Sequence, residues 1–250
     1  RRFSDGTATA WAERVGALRA GDRFRVGAAV HSVRAVPADE AAEVARWAHE
    51  RDLPLHAHLS EQPSENEECL GAYGRTPTQV LAGAGVLGPA STVVHAVHLS
   101  DGDIEALGSS GTSVCLCPTT ERDLADGIAP APALRAAGSP LCLGSDQNAV
   151  VDLLAEAHGL EMHARLAGGR RGVLEPASLV RALTVDGHRA IDVELTGGRL
   201  SAVVLRGANG TVRVEAQHVI VADGGKSHLG RLLGREWHKE TVFGVASRAY

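Results

Sequence analysis

Between residues 25 and 190 the chain alternates short apolar runs with amphipathic stretches. Residues 25–30, 54–59, 92–97, 113–117 and 140–144 read as strands, apolar enough to be buried on both faces. Between them, residues 39–52 place Ala41, Val44, Ala45 and Ala48 at helical spacing, and residues 76–85 and 103–111 read as short helices, the latter capped by Asp101. Residues 64–74 read as a polar link, residues 117–127 as a loop, and a further helix starts near Val150. Strands separated by amphipathic helices predict an α/β fold with a parallel sheet and helical crossovers. Polar loops after the strands favour a (β/α) barrel over an open sheet.

The stretch LHAHLSEQ, residues 55–62, concentrates the chemistry. The two-residue period of a strand puts His56 and His58 on one face and Leu55, Ala57 and Leu59 on the other, with Glu61 where the strand enters its loop. The same kind of position recurs. His31 and Arg34 follow the first strand, His95 ends the third, and Asp146 follows the fifth. In a barrel these positions converge on the carboxyl-terminal mouth, where imidazoles and carboxylates form an N/O donor set suited to zinc or another divalent metal. Each residue has a plainer alternative: hydrogen-bonded core histidines at 56, 58 and 95, a surface cation at Arg34, and a helix cap at Asp146.

Composition narrows the class. Hydrophobic residues make up 44% of the 250 residues but aromatics only 3%, so the core is built from Ala, Val and Leu. A formal charge of −5 with mixed signs argues against a nucleic-acid or membrane-surface partner and leaves a small-molecule substrate. Cys69, Cys115, Cys117 and Cys142 show no C-x-x-C spacing, which fits reduced thiols in a cytoplasmic protein. No apolar run approaches the roughly 18 residues of a membrane span. The first residue is Arg, which suggests a fragment.

The longer words VHSVRAVP, HAHLSEQ, VVHAVHLSD, CPTTERDLADGI and LGSDQNAVVDLLAEAHGLEMHARL resemble the amidohydrolase superfamily, and within it the formimidoylglutamate deiminases, over about residues 2–190. The resemblance implies hydrolysis of N-formimidoyl-L-glutamate to N-formyl-L-glutamate and ammonia, a step of histidine degradation. It implies a metal, zinc or a similar ion, on His58 and Asp146, with Asp146 also the general base. His95 would hold the attacking water, Glu61 would carry a proton to the leaving nitrogen, and His31 and Arg34 would contact the substrate. The five strands correspond to the last five of a (β/α)8 barrel, so a partial barrel is expected, with open edges that favour self-association. Two further ligands expected from an H-x-H at the first barrel strand have no counterpart before residue 25, and Asn148 stands where a His is expected. The chain on its own is therefore expected to be nearly inactive.

Beyond residue 190 the pattern changes to two alternating strands joined at Ala208, Asn209 and Gly210, then a strand at 218–222 and a helix. This part resembles the FAD-dependent geranylgeranyl reductase and aromatic hydroxylase group, Rossmann-type flavoproteins. The resemblance implies a small α+β fragment in which Asp223, Gly224 and Ser227 of an ADG-x-x-S motif would meet FAD. No G-x-G-x-x-G fingerprint accompanies it, so a ligand-free strand, turn and helix is the alternative. Two domains follow, 1–190 and 191–250, with a flavin-dependent oxidoreductase or an inactive fused chain as the alternatives to a deiminase.

Overall fold

Each of the five apolar runs contains a strand: β1 Ala28–Val30, β2 Leu55–Leu59, β3 Ser91–His95, β4 Ser113–Leu116 and β5 Leu141–Leu143. They pair in sequence order, all parallel, as a five-stranded sheet with β1 and β5 at its edges among the described residues. The computed structural model describes residues 5–18, 26–147 and 150–184, and as backbone 189–196, 199–207 and 210–215.

Helices cross between the strands: α1 Ala8–Gly16, α2 Ala38–His49, α3 Pro63–Tyr73, α4 Pro77–Gly83, α5 Asp101–Ser110, α6 Pro118–Asp123, α7 Ala131–Ala137 and α8 Leu153–Gly168. In α2 the predicted stripe of Ala41, Val44, Ala45 and Ala48 is the buried one, and Asp39 and Glu40 complement the helix dipole in its first turn. Both α4 and α5 begin with capping boxes, Thr76 with Gln79 and Ser100 with Asp103. The cap of α5 is thus Ser100 rather than Asp101, which sits one residue inside the helix. The residues read as a polar link and as a loop instead hold α3 and α6. Each starts with a proline in its first turn. The buried residues of α3 are Glu65 and Cys69, so it lacks the apolar stripe that marks a helix in sequence. The cap of α8 is Asp152, whose carboxylate accepts from the N–H groups of Leu154 and Ala155 at 2.9 and 3.2 Å. Asp146 is therefore released from the capping role.

The two faces of the sheet differ. Leu55, Ala57, Leu59, Val93, Val114, Leu116 and Leu141 are buried. On the other face, register aligns Ala29, His56, Thr92 and Ser113 in one row and His58, Val94, Cys115 and Cys142 in the next. These residues are half-buried or exposed, so the strands are not buried on both faces as their apolar sequence suggests. A five-stranded parallel sheet with helical crossovers and one polar face is a partial α/β barrel. Close packing of the helices depends on Gly108, where a β-carbon would sit 2.1 Å from Ala137 O of α7.

The chain divides into units Arg1–Glu175 and Pro176–Tyr250. The second holds helix α9 Pro176–Thr184 and an antiparallel sheet of β6 Arg189–Thr196, β7 Arg199–Gly207 and β8 Gly210–Glu215. β7 and β8 pair up to Gly207 and Gly210, while Ala208 and Asn209 of the turn read from sequence lie outside the described residues; β6 is an additional strand. Among the described residues no helix is long and apolar enough to cross a membrane.

Candidate active site

The carboxyl ends of β1, β2, β3 and β5 deliver the expected side chains to one place. β2 sets the first of them. His58 lies beside the end of β1, where the carbonyl of His31 accepts from the His58 backbone N–H at 2.9 Å and from its Nδ1 at 2.7 Å. A carbonyl cannot donate, so Nδ1 carries the hydrogen, and of the two neutral tautomers this one leaves its lone pair on Nε2. The His31 ring packs against it at 5.0 Å between centroids, with its own Nδ1 hydrogen-bonded to Ser32 Oγ at 2.9 Å. Burial, the His58 ring and Arg34 all push the His31 pKa down.

His95 reaches the mouth by a backbone device invisible in sequence. By strand alternation it belongs with buried Val93, but its φ is 74° and the next N–H, of Ala96, bonds back to Val94 O at 3.1 Å. This is a γ-turn of the strained hand, and it turns the imidazole out of the alternation. The ring is 1% exposed and stacks on His58 at 5.6 Å and 18°. Its Nε2 lies 3.6 Å from Glu61 Oε1 and 4.0 Å from Asp146 Oδ2, and its Nδ1 lies 3.5 Å from Glu121 Oε1. Burial opposes charge on this ring, but the carboxylates of Glu121, Glu61 and Asp146 outweigh it and raise the pKa.

Asp146 follows β5 with φ 41°, its side chain 30% exposed. One donor atom each from His58, His95 and Asp146 lies within 4.8 Å of the others. Two imidazoles and a carboxylate at the rim, with the His58 tautomer already fixed for Nε2 coordination, fit a zinc-type ion. His56 lies one row deeper on the same face of β2, outside this cluster, and burial lowers its pKa.

Arg34 is exposed but ion-paired. Its Nη2 donates to Glu61 Oε2 at 2.7 Å and its Nε faces Glu65 Oε2 at 3.5 Å. Glu65, buried in the first turn of α3, accepts the N–H groups of Ser60 and Glu61 at 3.1 Å each and so fixes the loop that aims Glu61. Sequence reading missed both Glu65 and Glu121. Glu65 was hidden in the polar stretch, and the one available signal for Glu121 was its place in CPTTERD, just past the fourth strand. Gln62 Nε2 donates to Asp126 Oδ1 at 3.1 Å, and His98 Nε2 to Asp126 O at 2.6 Å. Asn148 and the flavin-motif residues Asp223, Gly224 and Ser227 lie outside the described residues.

A partial α/β barrel with imidazoles and carboxylates at the carboxyl ends of its strands defines a class of barrel hydrolases. The chain belongs to the Amidohydrolase family, whose model matches residues 4–202. It is 35% identical to the formimidoylglutamate deiminase of Pseudomonas aeruginosa over 177 residues, 70% of this chain and 39% of that protein. It is 31% identical over 205 residues to the 5-methylthioadenosine/S-adenosylhomocysteine deaminase of Halobacterium salinarum, covering 80% of this chain and 46% of that one. An adenosine deaminase from Xanthomonas campestris with bound zinc superposes with a TM-score of 0.65 at 26% identity, over 72% of this chain and 42% of that structure. The chain thus spans less than half the length of these relatives. The family match ends at residue 202, before the flavin motif, and no comparison supports FAD.

Proposed function

We propose that this mouth is the active site of a metal-dependent hydrolytic deaminase whose substrate is N-formimidoyl-L-glutamate, with N-formyl-L-glutamate and ammonia as products. The observation that carries the proposal is the convergence of His58, His95 and Asp146 within 4.8 Å with Glu61 beside His95. His58 and Asp146 would hold the ion. A divalent ion held there would supply the acidity, lowering the pKa of the attacking water towards neutrality. Asp146, half in solvent, takes the proton of the attacking water, while His95 holds that water in line with the formimino carbon. Attack forms the new C–O bond; Glu61 then passes a proton to the terminal nitrogen, and the C–N bond to it breaks, releasing ammonia. The nitrogen carrying the glutamate stays attached.

Arg34 supports the substrate assignment. Its fork carries five N–H donors, enough to keep Glu61 aimed and to take a substrate carboxylate, with His31 beside it at the rim. The similarity to a methylthioadenosine deaminase supports a second reading, in which the same groups hydrolyse an amino group from a purine ring.

Ammonia release with added zinc tests both, using N-formimidoyl-L-glutamate and 5-methylthioadenosine, on this chain and on a version extended N-terminally by an H-x-H strand. Release from the formimino compound alone supports the proposal. Release from the purine alone overturns the substrate, and no release by the extended version overturns the reaction.

A further inference from the structure

Behind His95 lies a second group of donors. One donor atom each from His95, Cys117 and Glu121 lies within 4.8 Å of the others, and all three residues are buried. His95 Nδ1 is buried without a hydrogen-bond partner, although Glu121 Oε1 is 3.5 Å away. The Glu121 carboxylate, 2% exposed, accepts the Cys117 N–H at 2.8 Å. A buried carboxylate and an unpartnered imidazole nitrogen are costly to bury, and a cation held beside the Cys117 thiol satisfies both. Cys115 stands next to Cys117. The sulfurs of Cys115 and Cys117 crowd the space above Gly144, where a β-carbon would lie 3.1 and 3.2 Å from them.

We infer that His95 Nδ1, Cys117 Sγ and the Glu121 carboxylate form a second binding site for a borderline-soft divalent cation of the zinc type, buried behind the mouth. The donor set mixes S, N and O, each of which zinc accepts as a ligand atom. Coordination by Cys117 releases one proton, and the resulting thiolate with the Glu121 carboxylate balances the charge of a divalent ion. The site is distinct from the rim cluster because it uses the opposite edge of the ring: Nδ1 faces Glu121, whereas Nε2 faces Glu61 and Asp146. An ion there fixes the orientation of His95 and removes the proton from its Nδ1.

Cobalt(II) is the probe, since cobalt–thiolate ligation gives a charge-transfer absorption in the near ultraviolet that nitrogen and oxygen ligands do not. Added to the chelator-treated, phosphine-reduced chain, Co2+ is expected to raise this band to a saturating plateau. The band is expected to vanish in Cys117→Ser and to persist in Asp146→Asn and Cys69→Ser. No band, a band that survives Cys117→Ser, or a band lost in Asp146→Asn or Cys69→Ser overturns the inference. Alkylation of the unsubstituted protein, mapped by peptide mass, needs no variant. Bound metal should slow modification of Cys117 at least tenfold and leave Cys69 unchanged, and equal rates with and without metal contradict the site. Because neither readout depends on turnover, the deaminase proposal can fail while this site stands.

Discussion

The two faces of the parallel sheet are built on different principles. Toward the helices, Leu55, Leu59, Val93, Val114 and Leu116 are fully buried and ask for nothing but shape. The opposite face and the rim carry His56, His58, Thr92, Ser113, Cys115 and Cys142 on the strands, and His95 and Asp146 at their ends. Backbone conformation follows the same division. Of six non-glycine residues with positive φ among the described residues, four (Ser60, His95, Ala96 and Asp146) lie at carboxyl ends of strands. Such conformations cost on the order of 1–3 kcal/mol each and persist only where surrounding structure holds them. The apolar face supplies that stability; the rim uses it to aim side chains.

Asp146→Asn separates the two most sharply. Asn is well suited to a φ of 41°, so the turn survives while the charged ligand is lost. Zinc affinity of the rim site in equilibrium dialysis should fall by more than the roughly 10–100-fold of second-shell changes, with the urea midpoint nearly unchanged. A large fall in the midpoint would make Asp146 a structural residue. In the N-terminally extended version, Glu61→Gln should lower ammonia release by about 10²–10⁴-fold, the usual contribution of a proton-transfer group. Zinc binding should hold steady, and lost binding would make Glu61 a ligand instead.

On the other face the expectation reverses. Leu116→Ala should cost about 2–5 kcal/mol in urea unfolding while a folded sample keeps its zinc affinity. Ser100→Ala removes the cap of α5 and should cost roughly 1 kcal/mol by the same measurement.

A pH dependence belongs to the supporting structure as well. Burial works against the charged Glu161 carboxyl, but Arg165 at 2.6 Å and the N–H groups of Leu174 and Val173 hold its pKa below the usual 4.5. A carboxyl depressed on folding stabilises above its unfolded pKa, and that stability is lost as pH falls through the folded one. Glu161→Gln should therefore lose stability at pH 7 and show a flatter decline below about pH 4.5; parallel acid curves would remove Glu161 from that role.

Much of this division is legible in the chain. The period-two alternation at 55–59 separates His56 and His58 from the leucines, and the helical stripe of α2 is readable from four apolar positions. The helix α3 is not, because its buried residues are a glutamate and a cysteine. Nor is Glu65, whose partners are backbone N–H groups, or Glu121, which meets His95 only because β3 and β4 are neighbours. The γ-turn at His95 leaves no trace either, since nothing in VVHAV calls for a positive φ.

The central claim is that the rim holds a metal ion between His58 and Asp146. Anomalous scattering at the zinc edge from crystals of the zinc-loaded protein tests it directly. The account predicts a peak within bonding distance, about 2.0–2.2 Å, of both His58 Nε2 and an Asp146 carboxylate oxygen. Zinc bound elsewhere in the molecule with no peak between those two side chains would contradict it.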